Sequence, residues 1–172
     1  MLASVSAFIE YFDGVNRRAL RDVGMLPAEA ENWTPPGGEG EEAWTIGQIV
    51  GLMAASRLYF IRAYCGHGGI GRSWTGATDT REEWATVLQS SADQVREHLV
   101  GTPDSWLSRK IDLQDRDGFA VSGWRLLMMM TEHDIHHRSQ IDTYAGVMGW
   151  PVAHIFGRAA EDVGLQPRNA ER

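Results

Sequence analysis

The residues best placed to do chemistry lie near the carboxyl end of the chain, on one stripe of a segment with helical spacing. The stripe advances in alternating steps of four and three residues, as side chains on one face of a bundle helix do. Its ends are apolar and its middle is polar: Leu126, Met130, His133, His137, Gln140, Tyr144 and Val147. Burying so many polar groups is costly unless each is hydrogen-bonded or bound to a metal. The stripe therefore predicts a site.

The two histidines allow a metal-binding interpretation. Because His133 and His137 are one helical turn apart, their imidazoles can converge on one ion, with nitrogen–metal bonds of about 2.0–2.1 Å. Zinc, nickel or iron would suit such ligands. The alternative is a polar core layer or the entrance of a pocket, with the imidazoles bonded to Gln140, Tyr59 or Tyr144 directly or through water.

Four segments with the apolar periodicity of amphipathic helices must position this stripe, and breaks rich in glycine and proline separate them. The first covers residues 3–23, and the fourth, with Ser122 as N-cap, runs to about Val147. The second opens at Thr45 and the third near Thr80, each on a capping box, in which the threonine and the residue three positions later satisfy each other's backbone N–H. A short further helix is predicted from 152 to 163.

Residues 110–121 alternate apolar and polar around an Asp-Gly pair, which predicts a short hairpin or an irregular connection. Elsewhere the chain shows little strand signal. The pattern predicts an all-α fold, an antiparallel four-helix bundle with a short irregular or β-hairpin connection before the last long helix. At 172 residues, we expect one domain over residues 1–172.

Composition excludes several classes of function. The chain has 16 Lys and Arg against 23 Asp and Glu, a net charge of −7, and no basic run. This argues against partners such as nucleic acid or an anionic membrane surface, which a basic patch would have to neutralise. The longest apolar stretches are far shorter than the ~20 residues that span a bilayer. A single cysteine excludes an internal disulfide, so we expect a reducing, cytoplasmic environment.

Two blocks of the sequence resemble the DinB-like superfamily of metal-binding four-helix bundles. One is EHDIHHRSQI (132–141), which precedes a helix end at 146–151, and the other is WTIGQIVGLMAASRLYF (44–60). The resemblance extends over nearly the whole chain. It implies three histidine ligands for a divalent metal, one on the second helix and two, four apart, on the fourth.

His133 and His137 match that fourth-helix pair, but the second-helix position holds Leu52. Cys65 lies about 20 Å further along the helix and cannot replace the missing ligand. Two imidazoles alone hold a metal weakly, so we expect a degenerate site with low occupancy by zinc or nickel. A small-molecule pocket is expected instead, and its residues are Ser56, Tyr59, Gln140 and Tyr144.

The resemblance leaves open whether the protein is an enzyme. The first hypothesis is a DinB-like protein whose degenerate metal site binds a small-molecule ligand. The alternative is a divalent-metal-dependent S-transferase or isomerase that uses a low-molecular-weight thiol, namely bacillithiol, mycothiol or glutathione. There the metal would present the thiolate to an electrophile, and Arg57 or Arg138 would anchor carboxylates. We also expect a homodimer formed through a helical face.

Four further expectations concern single residues. Asp134 and Arg138, four apart, are expected to form a surface ion pair. His136 is expected at the edge of the stripe or in solvent, and Cys65 is expected to be an ordinary, unreactive thiol. Three tryptophans adjoin loops rich in glycine or proline and are expected to line a pocket mouth: Trp33, Trp74 and Trp150.

Overall fold

The computed structural model describes residues 3–37, 43–67, 76–113 and 119–158. In chain order the long helices and strands of these residues are α1 (Val5–Met25), α2 (Ile46–Cys65), α3 (Arg81–Leu99), β1 (Lys110–Asp112), β2 (Ala120–Ser122) and α4 (Gly123–Met148). The predicted helical bundle with a hairpin before the last helix is confirmed. No helix within the described ranges has both the length and the hydropathy needed to cross a membrane.

Both predicted capping boxes are present. At the start of α2, the Gln48 amide donates to Thr45 Oγ1 (3.2 Å), and the Thr45 amide donates to Gln48 Oε1 (2.8 Å). Thr80 and Glu83 repeat the exchange at the start of α3. Ser122 is the N-cap residue of α4, but its side chain makes no capping bond. The starts of α2 and α3 are thus encoded locally, by residues three apart.

Two apolar clusters, one toward each end of the bundle, define the directions of the helices. One cluster joins the first halves of α1 and α4 to the second halves of α2 and α3. The other joins the second halves of α1 and α4 to the first halves of α2 and α3. Hence α1 and α4 run one way and α2 and α3 the other. α1 packs against α3 and α4, and α2 packs against the same two helices.

The residues just before α3 show how α2 and α3 come to be parallel neighbours. Thr78 lies at the end of the bundle where α2 begins, and its carbonyl reaches the first turn of α2. A Cβ on Gly47 would lie 2.1 Å from that carbonyl oxygen. The indole Nε1 of Trp84 donates to the same oxygen over 2.8 Å. Glycine at position 47 therefore permits a contact that any side chain would block.

The hairpin delivers the chain into α4. Its strands are antiparallel, with Lys110 opposite Ser122 and Asp112 opposite Ala120. The next residue, Gly123, lies against the Trp106 carbonyl, where a Cβ would be 2.2 Å from the oxygen. This close approach fixes where α4 starts.

Two predicted features differ from the structure. Val147, expected to be the apolar end of the buried stripe, is 75% exposed. The expected helix from 152 is wrong for residues 152–158, which form turns and irregular backbone, and residues 159–163 lie outside the described residues. The apolar periodicity of one helix cannot show whether another element covers the end of that helix.

Candidate functional site

The two predicted histidines meet on the face of α4 that is turned toward α2. The ring centroids of His133 and His137 are 4.3 Å apart, with their planes at 60°. His137 is 9% exposed, and His133 is half-buried. His136 is exposed at the edge of the pair, as expected, with its ring 4.9 Å from that of His137. The local spacing therefore predicted correctly that the two rings meet, and their role as metal ligands stays a prediction.

Helix α2 provides the opposite wall. Ser56 Oγ lies 3.3 Å from His133 Nε2. Because α2 and α4 are antiparallel, one turn back from Ser56 corresponds to one turn forward from His133, and from this register we infer that Leu52 lies opposite His137. Leu52 is half-buried. A hydrocarbon side chain thus takes the position that the family resemblance assigns to a third histidine.

A hydrogen-bonded ladder continues along α4 and sets the tautomer of His137. Its Nδ1 lies 3.0 Å from Gln140 Oε1, and Gln140 Nε2 donates to the Tyr144 hydroxyl over 3.5 Å. Since an amide oxygen only accepts, Nδ1 carries the proton and Nε2 keeps its lone pair. His133 Nδ1 is buried and has no hydrogen-bond partner among the described residues.

Two aromatic rings that sequence reasoning missed flank the pair. Trp44 stacks on His137, with nearly parallel planes and centroids 6.2 Å apart, and Phe60 lies 6.5 Å from the His133 ring. Tyr59, a predicted pocket residue, is half-buried with its ring 5.3 Å from Phe60. Trp44 precedes the N-cap of α2, where helical periodicity gives no signal. Phe60 directly follows Tyr59 on α2, and the sequence pattern did not single it out.

Burial keeps the imidazoles uncharged. It lowers the pKa of His133 to about 4, and the neighbouring His137 and His136 act in the same direction. Burial also lowers the pKa of His137, against the opposing effect of its bond to Gln140. At neutral pH both rings therefore offer lone pairs rather than positive charge.

The three-histidine centre implied by the family resemblance does not fit this chain. Nowhere in the described ranges does a group of three His, Cys, Asp or Glu residues have the geometry to hold an ion. The Cys65 thiol donates to the His98 carbonyl, and burial raises its pKa. The His67 ring lies against that of His98, 6.4 Å between centroids. In this part of the structure, therefore, only the two imidazoles of the family's ligand set are present.

The predicted surface ion pair between Asp134 and Arg138 is wrong. Both residues are buried and each has another partner: Asp134 bonds to Arg57, and Arg138 Nε lies 3.3 Å from Asp22 Oδ2 on α1. Arg57 is fully buried and Arg138 is 5% exposed. Neither guanidinium reaches solvent to anchor a ligand carboxylate, as had been expected.

An aromatic cluster adjoins the end of the ladder. Trp33 lies 5.1 Å from Tyr144 and 5.6 Å from Trp150, both edge-on. Trp74, the third tryptophan expected at a pocket mouth, is outside the described residues. The four predicted pocket residues have different contacts. Ser56 and Gln140 bond to the imidazoles, Tyr59 adjoins Phe60, and Tyr144 joins the ladder to the aromatic cluster.

Comparisons with known proteins agree with this architecture. A DinB-like protein from Bacillus cereus ATCC 10987 is 18% identical, with a TM-score of 0.68 over 90% of this chain and 99% of that one. A DinB-like protein from Bacillus subtilis is 17% identical, with a TM-score of 0.66 over 84% and 92%. At such identities the likeness shows the fold alone. No curated protein matches the chain. Residues 1–168 match the DinB family, and the chain therefore belongs to that family.

Proposed function

We propose that this protein binds an uncharged small molecule bearing a hydrogen-bond donor, at the histidine pair and without a resident metal. The observation that carries the proposal is the fixed tautomer of His137. Because Gln140 accepts from Nδ1, the neutral ring keeps an unprotonated Nε2 beside His133, on the side of α4 that faces α2. A ligand O–H, S–H or N–H group is the complement of such an acceptor.

The surroundings narrow the ligand class. Trp44 and Phe60 supply aromatic surface beside the two imidazoles, which favours a flat or apolar ligand body. The nearby cations Arg57 and Arg138 are enclosed in ion pairs within the described core. A ligand carboxylate would therefore find no counter-charge there. These features favour an uncharged ligand.

Binding fits the pair better than proton transfer does. A general base works best when its pKa is near the operating pH. Burial lowers the pKa of His133 to about 4, too low for an efficient base at neutral pH. The alternative, a thiol transferase, would need a metal to activate the thiol, and the described residues offer that metal two histidines and a serine.

Metal analysis separates the two functions. We expect protein purified without chelator or metal-affinity tag to contain far less than one zinc or nickel ion per chain. One ion per chain, lost in His137→Ala, would overturn the proposal in favour of the metal-dependent transferase.

A matched pair of probes tests the ligand chemistry. Phenol and anisole present the same ring, but only phenol carries an O–H donor. We expect phenol to shift the ¹⁵N signal of His137 Nε2 saturably, at about millimolar concentration as befits so small a ligand, and anisole not to. His137→Ala should abolish phenol binding, and His154→Ala, an exposed histidine on the C-terminal segment, should not. Equal responses to both probes, or none to phenol, would refute the proposal.

A further inference from the structure

Arg57 occupies the centre of the bundle, between the two apolar clusters, and contacts every long helix. Its side chain is fully buried. Nε donates to Asp134 Oδ2 of α4 over 2.8 Å, and Nη2 lies 2.8 Å from the same oxygen. Nη1 donates to the Leu88 carbonyl (2.8 Å) and to Ser91 Oγ (3.0 Å), both on α3. The Phe12 ring of α1 lies 5.3 Å from Cζ.

This arrangement, the Arg57 hub, constrains α4 more tightly than apolar packing would. A buried charge must keep its partner, because an unpaired charge in the core is very unfavourable. A shift of α4 by one residue would move its side chains 1.5 Å along the axis and rotate them by about 100°. Asp134 would then leave the guanidinium. Apolar contacts are not directional, so they specify the register less sharply than the ion pair does.

The site uses the neighbouring residue on each helix. Ser56 precedes Arg57 on α2, and His133 precedes Asp134 on α4. The contact from Ser56 to His133 therefore lies beside the ion pair and shares its register. We propose that Arg57 is a positioning residue, whose hold on Asp134 keeps His133 against Ser56. This inference holds whether or not the site binds the ligand proposed above.

The test measures geometry in the absence of ligand. The wild-type protein should show a nuclear Overhauser effect between the Ser56 β protons and the His133 ring, since Oγ and Nε2 are 3.3 Å apart. Arg57→Met/Asp134→Leu replaces the pair by apolar side chains of similar volume, a change that proteins often tolerate. We expect this variant to unfold cooperatively yet lose that effect. A role in stability alone would leave it unchanged in folded protein.

If the double variant does not fold, Asp134→Asn decides the question, because it keeps the shape of the side chain. We expect this variant also to lose most of the nuclear Overhauser effect between Ser56 and His133. Ser91→Ala is the matched control, because it removes one bond to the same guanidinium and leaves the ion pair intact. The control should keep the wild-type signal. A wild-type signal in folded Asp134→Asn, or an equal loss in Ser91→Ala, would overturn the proposal.

Discussion

Replacing Leu52 by histidine should create a tight metal site. The antiparallel register set by the Ser56–His133 contact predicts that position 52 lies opposite His137. An imidazole there would join two others that are already close together, with ring centroids 4.3 Å apart. Three histidines on two helices complete the ligand set of a divalent metal centre.

The gain can be estimated from structural zinc sites. Their binding free energies of about 10–16 kcal/mol come from four ligands, or about 3 kcal/mol per ligand. A third imidazole should therefore tighten zinc binding about 100-fold. The substitution also removes a half-buried leucine, which should cost the metal-free variant about 1–2 kcal/mol. Zinc at 100 times its dissociation constant would raise the free energy of unfolding of the variant by about 2.7 kcal/mol.

Two measurements check this expectation: zinc titration by calorimetry, and urea unfolding with and without zinc. Leu58→His is the matched control, since it places the same residue on another half-buried face of α2. It should lose stability without gaining zinc affinity, and Leu52→His/His137→Ala should lose most of the gain. If Leu52→His binds zinc no better than Leu58→His, position 52 does not face His137 and the inferred register is wrong.

Two further predictions concern stability. Burial and the nearby Asp22 raise the pKa of Asp142 to about 6, so the native state keeps this proton where the unfolded chain releases it. The stability of the wild type relative to Asp142→Asn should therefore fall as pH rises from 4 to 7, by about 1 kcal/mol after allowing for partial exposure. If urea unfolding gave a stability difference between the two proteins that did not change with pH, this expectation would be contradicted. Gly47→Ala should cost about 1–3 kcal/mol in thermal unfolding, because its Cβ meets the Thr78 carbonyl. Gly51→Ala, one turn later with its nearest neighbour at 3.8 Å, should be neutral or gain up to about 1 kcal/mol; equal losses in both would refute the steric argument.

The fourth helix shows what its sequence pattern predicted and what it did not. It carries two stripes in alternating steps of four and three, side by side. The predicted stripe, with the histidine pair, faces α2 and is only partly buried. The adjacent stripe is the buried one: Leu127, Thr131, Asp134, Arg138, Ile141 and Ala145. Its two charged residues suggested a solvent-exposed face, because charges are seldom buried unless paired.

The sequence pattern of α2 was ambiguous in the same way. It contained the signal for the Arg57 hub, but that signal allowed two interpretations. Arg57 lies on a stripe of otherwise apolar or aromatic residues: Ile46, Val50, Met53, Arg57, Ile61 and Tyr64. A lone arginine on such a stripe indicates either a break in the core or a buried ion pair. Only the partner decides between them, and Asp134 is 77 residues away.

The sequence by itself determined what depends on neighbours within one turn. The capping boxes at Thr45 and Thr80 and the convergence of His133 and His137 follow from residues three or four apart. The hairpin follows from the apolar and polar alternation within residues 110–121. Tertiary structure decided which side of α4 is buried, which carboxylate each arginine holds, and which ring stacks on His137. Those outcomes depend on contacts between distant segments, whose energies become available only when the helices pack together. Local spacing can bring two imidazoles to one face, but it cannot specify what lies opposite them.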